Sequence, residues 1–214
     1  MSDQLFQQLI DSIVLGKVDE AGSLTQKALD QNIAAMTTVE KALIPAMAIV
    51  SEKYEKKEYY LPQMLISSDA FYAAFDLLKE EIKAAGAAGG KAKIVCGVVE
   101  GDVHDIGKNL VKTVLEANGF ICVDMGRDVP VEDYLDAVAK EKPDFLLLST
   151  LMTPTMLSMK RTVEGLSEEG TREGVKVMIG GGPISWDFAK KIGADFYGDN
   201  EKEALRWANS EVEK

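Results

Sequence analysis

The one histidine of the chain, His104, is the residue with the clearest capacity for chemistry. It stands in the segment Asp102-Val103-His104-Asp105-Ile106-Gly107, directly after an apolar run at 92–99 that predicts a β-strand. An imidazole that binds a metal through one ring nitrogen usually donates its other N–H to a carboxylate or a carbonyl. Asp102 is close enough in sequence to be that partner. The spacing therefore predicts that His104 is a metal ligand supported by Asp102.

Few other side chains could complete a metal site made of protein ligands alone. A structural zinc site needs about four ligands and a catalytic one about three. The two cysteines, Cys96 and Cys122, fall in separate strand-like runs, where buried and reduced thiols are expected. A metal that needs one protein ligand, because a macrocycle supplies the rest, fits better. Haem and corrinoids are the candidates of this kind.

Two other kinds of active site are disfavoured by their missing motifs. Ser149, His104 and Asp102 could form a Ser-His-Asp triad, but Ser149 closes an apolar run without the Gly-x-Ser-x-Gly elbow that exposes a nucleophile. The usual nucleotide fingerprints, Gly-x-Gly-x-x-Gly after the first strand and Gly-x-x-x-x-Gly-Lys-Ser/Thr, do not occur in the sequence.

The first part of the chain predicts a bundle of four helices. Apolar residues recur at helical spacing in four runs, at 5–13, 18–28, 43–54 and 64–82. Pro62 stands at the first turn of the fourth run, where proline is tolerated. The short connections favour a small antiparallel bundle. Alanine and glycine fill 85–90, which is typical of a linker, so we predict domains at 1–88 and 89–214.

The second part of the chain predicts an α/β fold with a doubly wound, five-stranded parallel sheet, Rossmann/flavodoxin-like in its layout. Nearly continuous apolar runs alternate with amphipathic stretches. The strand-like runs are 94–99, 120–125, 145–149, 175–179 and 194–197, and the helix-like stretches are 107–118, 131–141, 155–168, 185–191 and 200–210. Ligands of such sheets bind at the carboxyl ends of the strands. His104, the 149–151 turn and the 180–182 turn all fall at such ends.

Composition excludes several classes of partner. The net charge is −11, from 24 basic and 35 acidic residues. No basic patch is evident in either half, which disfavours nucleic acid and anionic lipid as partners. No apolar run approaches the roughly 20 residues that cross a bilayer. The polar start Ser2-Asp3-Gln4 lacks a signal peptide's basic region, so we expect a cytoplasmic protein without membrane partners.

Three motif blocks carry a resemblance to a known family. Asp102-x-His104-x-x-Gly107, Ser149-x-Leu151 and Gly180-Gly181 occur in this order, and together they resemble the signature of cobalamin-binding domains of the methionine-synthase type. The helical segment is similar to the cap domain of the same family. The whole chain most resembles the stand-alone corrinoid proteins of methanol, methylamine and betaine methyltransferase systems.

The resemblance implies a set of residues around the cofactor. They are Asp102, His104, Asp105, Ile106, Gly107, Ser149, Leu151, Thr153, Thr155, Gly180, Gly181 and Gly182, with Tyr54, Leu61 and Met64 from the cap. His104 would be the lower ligand of cobalt, replacing the cofactor's own base. Asp102 would hydrogen-bond the far nitrogen of His104, and Thr155 would extend this relay.

Further roles concern the nucleotide tail of the cofactor and its upper face. Ser149 and Leu151 would line the slot for the displaced tail, beside the close-approaching glycines of the 180–181 turn. Gly107 would let the first helix start next to the tail. The cap residues would cover the upper cobalt face. From their positions alone, Asp105 is expected to cap the helix that follows, Asp102 is the other candidate for that cap, and the cap-domain residues could be ordinary bundle core.

The resemblance implies a carrier and not an enzyme. A cobalamin cofactor, cycling between methylcobalamin and cob(I)alamin, would take a methyl group from a substrate-specific methyltransferase. A second methyltransferase would pass it to tetrahydrofolate or coenzyme M, and a reductive activation protein would restore oxidised cobalt. Two alternatives are a cobalamin-dependent sensor, which would normally carry an output domain, and an adenosylcobalamin mutase subunit, which would not be expected to have the helical cap.

Overall fold

A computed structural model describes residues 2–84 and 90–213. By its internal contacts the chain divides into two compact units, Met1–Ala85 and Gly86–Lys214. The boundary predicted after Ala88, and residues 85–89 of the predicted linker, lie outside the described residues.

The first unit consists of helices. Its elements are α1 (Ser2–Val14), α2 (Val18–Asp30), α3 (Ala35–Thr38), a π-helical segment (Val39–Leu43), α4 (Ile44–Glu55) and α5 (Leu61–Ala84). Because α3, the π segment and α4 follow one another without a break, they form one helical rod. Four rods therefore result, and the predicted helical bundle is confirmed.

Pro45 accounts for the π-helical segment in the third rod. Proline lacks an N–H group, and in an α-helix its ring clashes with the carbonyl four residues earlier. Here that carbonyl belongs to Lys41, which lies inside the π segment. The wider π turn, a form that occurs as a single-turn bulge inside α-helices, relieves the clash, so the rod continues through Pro45.

The predicted apolar seam of α5 forms much of the bundle core. Phe71 and Phe75 are buried and stacked, with ring centroids 5.7 Å apart. Tyr59 and Ser67 donate hydrogen bonds to the carbonyl oxygen of Val14, over 2.9 and 3.0 Å. These bonds satisfy a carbonyl at the end of α1 that has no partner within its helix. No helix within 2–84 or 90–213 is long and apolar enough to cross a membrane.

The second unit is built on a five-stranded parallel sheet. Its strands are β1 (Lys93–Val98), β2 (Ile121–Asp124), β3 (Phe145–Ser149), β4 (Lys176–Gly180) and β5 (Phe196–Gly198), in the order β2-β1-β3-β4-β5. Its helices are α6 (Ile106–Ala117), α7 (Val131–Glu141), α8 (Met156–Glu168), α9 (Trp186–Ile192) and α10 (Glu201–Val212), with a short 3-10 turn at Arg172–Gly174. The predicted α/β fold is confirmed.

The bounds of β3 agree with the predicted ones, and the ends of the other strands differ by one or two residues. The largest difference is in β5, which begins at Phe196 and not at Ala194. Asp195 explains the late start, because its carboxylate accepts hydrogen bonds from Arg172 and from the Val177 N–H, both over 2.7 Å. The carboxylate thus takes the place of a backbone carbonyl at the Val177 N–H, while the Asp195 N–H still donates to the Val177 carbonyl over 2.9 Å.

Helices cover both faces of the sheet, each over its own apolar core. Alternate side chains of a strand point to opposite faces. On one face Ile94, Leu147 and Met178 pack with residues of α6 and α10. On the other face Val95, Leu148 and Val177 pack with residues of α7, α8 and α9.

The strand order has one point where it reverses direction. The chain steps from β1 outward to β2 and then returns to β3 on the other side of β1. The loops after β1 and β3 therefore run to opposite faces and leave a crevice between them, which is where doubly wound sheets bind ligands. His104 follows β1, and Thr150 follows β3.

Candidate functional site

The carboxylate of Asp102 is the centre of the site at this crevice. Its side chain is fully buried and accepts four hydrogen bonds. The Oδ1 atom accepts from the backbone N–H of His104 over 2.9 Å and from its ring Nδ1 over 2.6 Å. The Oδ2 atom accepts from the Thr150 hydroxyl over 2.5 Å and from the Leu151 N–H over 2.7 Å. Asp102 thus joins the loops after β1 and β3.

These hydrogen bonds keep Asp102 ionised. Burial by itself raises the pKa of its carboxyl group, because it disfavours the charged form. The hydrogen bonds from Thr150, His104 and Leu151 outweigh burial and lower the pKa to about 2. An ionised Asp102 can only accept, so the ring of His104 must donate from Nδ1.

His104 therefore presents its other nitrogen. Its side chain is 46% exposed, in contrast to the fully buried Asp102. Since Nδ1–H is engaged, Nε2 is unprotonated in the neutral ring and has a lone pair for a metal. The predicted pairing of Asp102 with the far nitrogen of His104 agrees with this geometry.

Asp102 should make stability depend on pH in the acid range. A carboxyl with a folded pKa of about 2 and an unfolded pKa near 3.9 contributes stability that is fully present above pH ~4. The contribution is lost as pH falls through the folded value, and it amounts to roughly 2 kcal/mol. Urea unfolding of wild type and Asp102→Asn should show a stability gap that narrows by this amount between about pH 5 and about pH 2. A gap that is constant or widens toward acid would contradict the prediction.

The loop that carries Asp102 and His104 is clamped by a second aspartate, which the sequence reasoning missed. The carboxylate of Asp128, in the loop after β2, accepts a hydrogen bond from the Gly101 N–H over 2.7 Å. The Asp128 N–H in turn donates to the Asp102 carbonyl over 2.9 Å. Asp128 has a φ of 54°, an unusual conformation that aspartate tolerates better than most residues. No sequence signal distinguished this Asp from other loop acids.

The beginning of α6 is held by a buried lysine, also missed. Lys108 has a side chain 1% exposed and lies 2.6 Å from a carboxylate oxygen of Asp124, at the end of β2. Lys112 reaches the other oxygen over 2.5 Å. Although burial raises the pKa of Asp124, the hydrogen bonds from both lysines lower it below its usual value. A lysine on the inward face of an amphipathic helix was the available signal.

Hydroxyl-bearing residues at the end of β3 and in the loop after it lie in different places. Ser149 ends the strand, Thr150 contacts Asp102 directly, and the Oγ1 atom of Thr155 lies 2.5 Å from that of Thr150. Thr155 thus reaches Asp102 through Thr150. The resemblance led us to expect Thr155 in this relay and did not include Thr150.

A row of mostly small residues crosses the sheet at its carboxyl edge. Val98, Ser149, Gly180 and Gly198 are register partners in adjacent strands. By strand alternation they share the face covered by α6 and α10. The preceding residues on that face are large and include Leu147, Met178 and Phe196, which pack in the apolar core beneath α6 and α10. Gly198 was not predicted, because its place in this row depends on the register of β5.

The glycine turn after β4 packs tightly against the loop after β3. Gly181 has a φ of +127°, and a Cβ atom there would lie 1.7 Å from the carbonyl oxygen of Thr150. A Cβ atom on Gly182 would lie 3.0 Å from the side chain of Leu151. At Gly181 the backbone thus lies close to the protein's own chain, and the close approach of this turn to the nucleotide tail stays a prediction.

The remaining predicted residues of the second unit lie around the same loops. Asp105 stands at the N-cap position of α6, as its place in the sequence predicts. Its side chain makes no capping hydrogen bond there. Ile106 is half-buried, whereas Gly107 and Thr153 are exposed. Leu151 is exposed beside Val103 and Met152, which gives the loops an apolar rim.

The predicted cap residues lie outside the bundle core of the first unit. Tyr54 is 48% exposed, Leu61 is 62% exposed, and Met64 is half-buried. Leu65, one turn after Leu61, is also exposed. The alternative interpretation, that these residues are ordinary core, is therefore wrong for Tyr54 and Leu61.

The donor set suits a metal whose other ligands come from a macrocycle. Within 2–84 and 90–213, no group of three or more His, Cys, Asp or Glu side chains could hold a metal ion. Cys96 is buried and Cys122 partly buried, both thiols are free, and burial raises the pKa of each, that of Cys96 to about 12. One imidazole beside exposed apolar side chains and a row of small residues fits a large planar group with a tail.

Two family models match, and both describe a B12 binding domain. One covers residues 92–206 and the other residues 5–79. The chain is 39% identical over 203 residues to dimethylamine corrinoid protein 2 of Methanosarcina acetivorans. The aligned residues make up 95% of this chain and 94% of that protein.

Solved structures agree with this result. The monomethylamine corrinoid protein of Methanosarcina barkeri matches with a TM-score of 0.91 and 38% identity, over 98% of this chain and 99% of that one. The methanol:cobalamin methyltransferase complex MtaBC of the same organism matches with a TM-score of 0.56 and 34% identity, over 100% of this chain and 81% of that one. The chain belongs to the family of corrinoid proteins built on B12 binding domains.

Proposed function

We propose that the chain is a corrinoid protein that carries a methyl group on cobalt between two methyltransferases. The first would be specific for a methylated substrate, and the second would act on tetrahydrofolate or coenzyme M. The observation that carries the proposal is the half-exposed His104, whose Nδ1–H is held by the buried Asp102 and whose Nε2 is left for a metal.

Different residues of the second unit would contact different parts of cobalamin. His104 would supply the lower ligand through Nε2, and Asp102 would fix its tautomer. Ser149 and Gly180, at the carboxyl edge of the sheet, would lie against the nucleotide tail that His104 displaces. Bound cobalamin would supply a cobalt ion able to accept and release a methyl group.

The first unit would shield the cobalt from solvent. Tyr54, Leu61 and Met64 are the proposed contacts to the upper face, and the exposure of Tyr54 and Leu61 supports this role. Removal of water protects reactive groups from side reactions. The cap would have to move aside for each partner enzyme, as the lids of enzymes do for their substrates.

We propose that catalysis of the transfers belongs to the partner proteins. The relatives are named for dimethylamine and monomethylamine, and one structure is of a methanol system. The proposed methyl donor is therefore a methylated amine or an alcohol. A reductive activation protein would return oxidised cobalt to use, and the proposed site of action is the cytoplasm.

Electron paramagnetic resonance of the cobalt(II) form tests the ligand. The protein would be reconstituted with hydroxocobalamin, reduced to cobalt(II), and compared with His104→Ala. Wild type should show coupling from the ring nitrogen of His104, which the variant cannot show. Because His104 is the one histidine in the chain, growth with ¹⁵N-histidine should change the splitting pattern if the nitrogen is its own.

The labelling also excludes the cofactor's own base as the source of the coupling. If the protein binds cobalamin but labelling leaves the nitrogen splitting of the cobalt(II) spectrum unchanged, His104 is not the ligand. No binding of cobalamin by wild type would remove the proposed function.

A further inference from the structure

The carboxylate of Asp102 needs a restraint that the His104 contact alone does not provide. The terminal torsion of an aspartate side chain has a broad, shallow preference. Both contacts from His104 are made to Oδ1. The plane of the carboxylate is therefore set by what binds Oδ2, and the donors there are the Thr150 hydroxyl and the Leu151 N–H.

Thr150 is itself held firmly. Its side chain is fully buried, and its N–H donates to the Gly180 carbonyl over 3.2 Å. Its own carbonyl lies so close to Gly181 that no Cβ fits between them. Because this backbone is fixed, the Thr150 hydroxyl can move little. Its hydrogen bond therefore restricts the orientation of the Asp102 carboxylate.

The hydrogens around Thr150 can be assigned. An ionised carboxylate has no proton to give, so the single hydroxyl proton of Thr150 goes to Asp102. The Thr150 oxygen then accepts from the Met152 N–H over 3.3 Å. Thr155 can give its proton to Thr150 or to the Met152 carbonyl, which lie 2.5 and 2.9 Å from its oxygen. In either case Thr155 acts on Asp102 only through Thr150.

We propose that Thr150 is the positioning residue for the lower ligand: its hydroxyl holds the Asp102 carboxylate in the plane that selects the Nδ1–H tautomer of His104. The inference deepens the proposed function, on which its importance for cobalt rests. The tautomer itself can be measured without any cofactor. Thr155 contacts Thr150 and is therefore one hydrogen bond further from Asp102.

The test uses the full-length protein without cobalamin, labelled with ¹⁵N-histidine. Because His104 is the one histidine, its two nitrogens give the only labelled ring signals, and their shifts report the tautomer of the neutral ring at alkaline pH. Thr150→Val removes the hydroxyl with little change of shape, and Thr150→Ser restores it. Thr162→Val is the matched control, since Thr162 is equally buried and bonds only the Ser158 carbonyl of its own helix.

Thr150→Val should lower the ratio of the Nδ1–H to the Nε2–H tautomer by about fivefold or more, the effect of one lost hydrogen bond of ordinary strength. Thr150→Ser and Thr162→Val should keep the wild-type ratio, and Thr155→Val should change it less than Thr150→Val does. If Thr150→Val does not fold, Thr150→Ala takes its place in the comparison.

A wild-type ratio in folded Thr150→Val or Thr150→Ala overturns the inference. An equal loss in Thr162→Val does so too, because the effect would then be a general one of removing a buried hydroxyl. These outcomes are independent of the proposed function. If wild type bound no cobalamin while Thr150→Val still changed the tautomer ratio, the carrier function would fail and the positioning role would remain.

Discussion

Replacing Gly181 with alanine should destabilise the second unit by at least about 3 kcal/mol. Two costs add at this position. The φ of +127° is one that residues with a side chain rarely adopt, and the new Cβ would lie 1.7 Å from the backbone oxygen of Thr150. A backbone atom cannot turn away as a flexible side chain can. The turn after β4 and the loop after β3 would therefore have to separate.

Gly170→Ala is the matched control for this prediction. Gly170 also has a positive φ, +72°, but a Cβ atom there would meet nothing within 4 Å. Its substitution should cost only the backbone term, about 1–2 kcal/mol. Urea unfolding of both variants, followed by circular dichroism, measures the difference. Equal losses would mean that the contact with Thr150 relaxes and that only the backbone conformation matters.

The same substitution should affect the site. Since the Thr150 carbonyl is the atom displaced, the Thr150 hydroxyl should move with it and loosen Asp102. Gly181 is thus linked to His104 through a chain of backbone and side-chain contacts. A glycine that resembles a cofactor-contact residue in sequence acts here on the protein's own loop.

The sequence was informative wherever the relevant contacts are local. Asp102 and His104 are two residues apart, so their pairing follows from the strand end that precedes them. Helix α7 was predicted with its observed bounds, 131–141, because its apolar spacing is regular. The alternation of strands and helices in the second unit likewise followed from local periodicity.

Contacts that depend on packing between distant segments were beyond the sequence. Thr150 and Thr155 are both ordinary turn hydroxyls, and only the path of the loop after β3 decides which of them meets Asp102. Asp128 lies in the loop after β2 and contacts the loop of Asp102 through the Gly101 N–H. Gly198 joins the row of small residues because β4 pairs with β5. The resemblance included Leu151, whose N–H contacts Asp102, but not Thr150, whose hydroxyl contacts it as well.

Gly107→Leu should stabilise the fold and weaken cobalamin binding together. Gly107 is the second residue of α6, and a Cβ atom there would meet nothing within 4 Å. Because glycine is a poor helix former, leucine should raise the free energy of unfolding, by up to about 1 kcal/mol. Its side chain would occupy the open space beside the proposed path of the nucleotide tail. Cobalamin binding should weaken at least about tenfold, which corresponds to ~1.4 kcal/mol.

Cobinamide, which lacks the nucleotide tail, shows whether the tail is the cause. Titration followed by the visible spectrum should give unchanged affinity of Gly107→Leu for cobinamide and reduced affinity for cobalamin, with Gly107→Ala between the extremes. A merely destabilised variant would lose both ligands, and its unfolding midpoint would fall instead of rise. If Gly107→Leu bound both corrinoids as wild type does, the tail would not pass the start of α6. The proposed path of the tail along Ser149 and Gly180 would then be wrong.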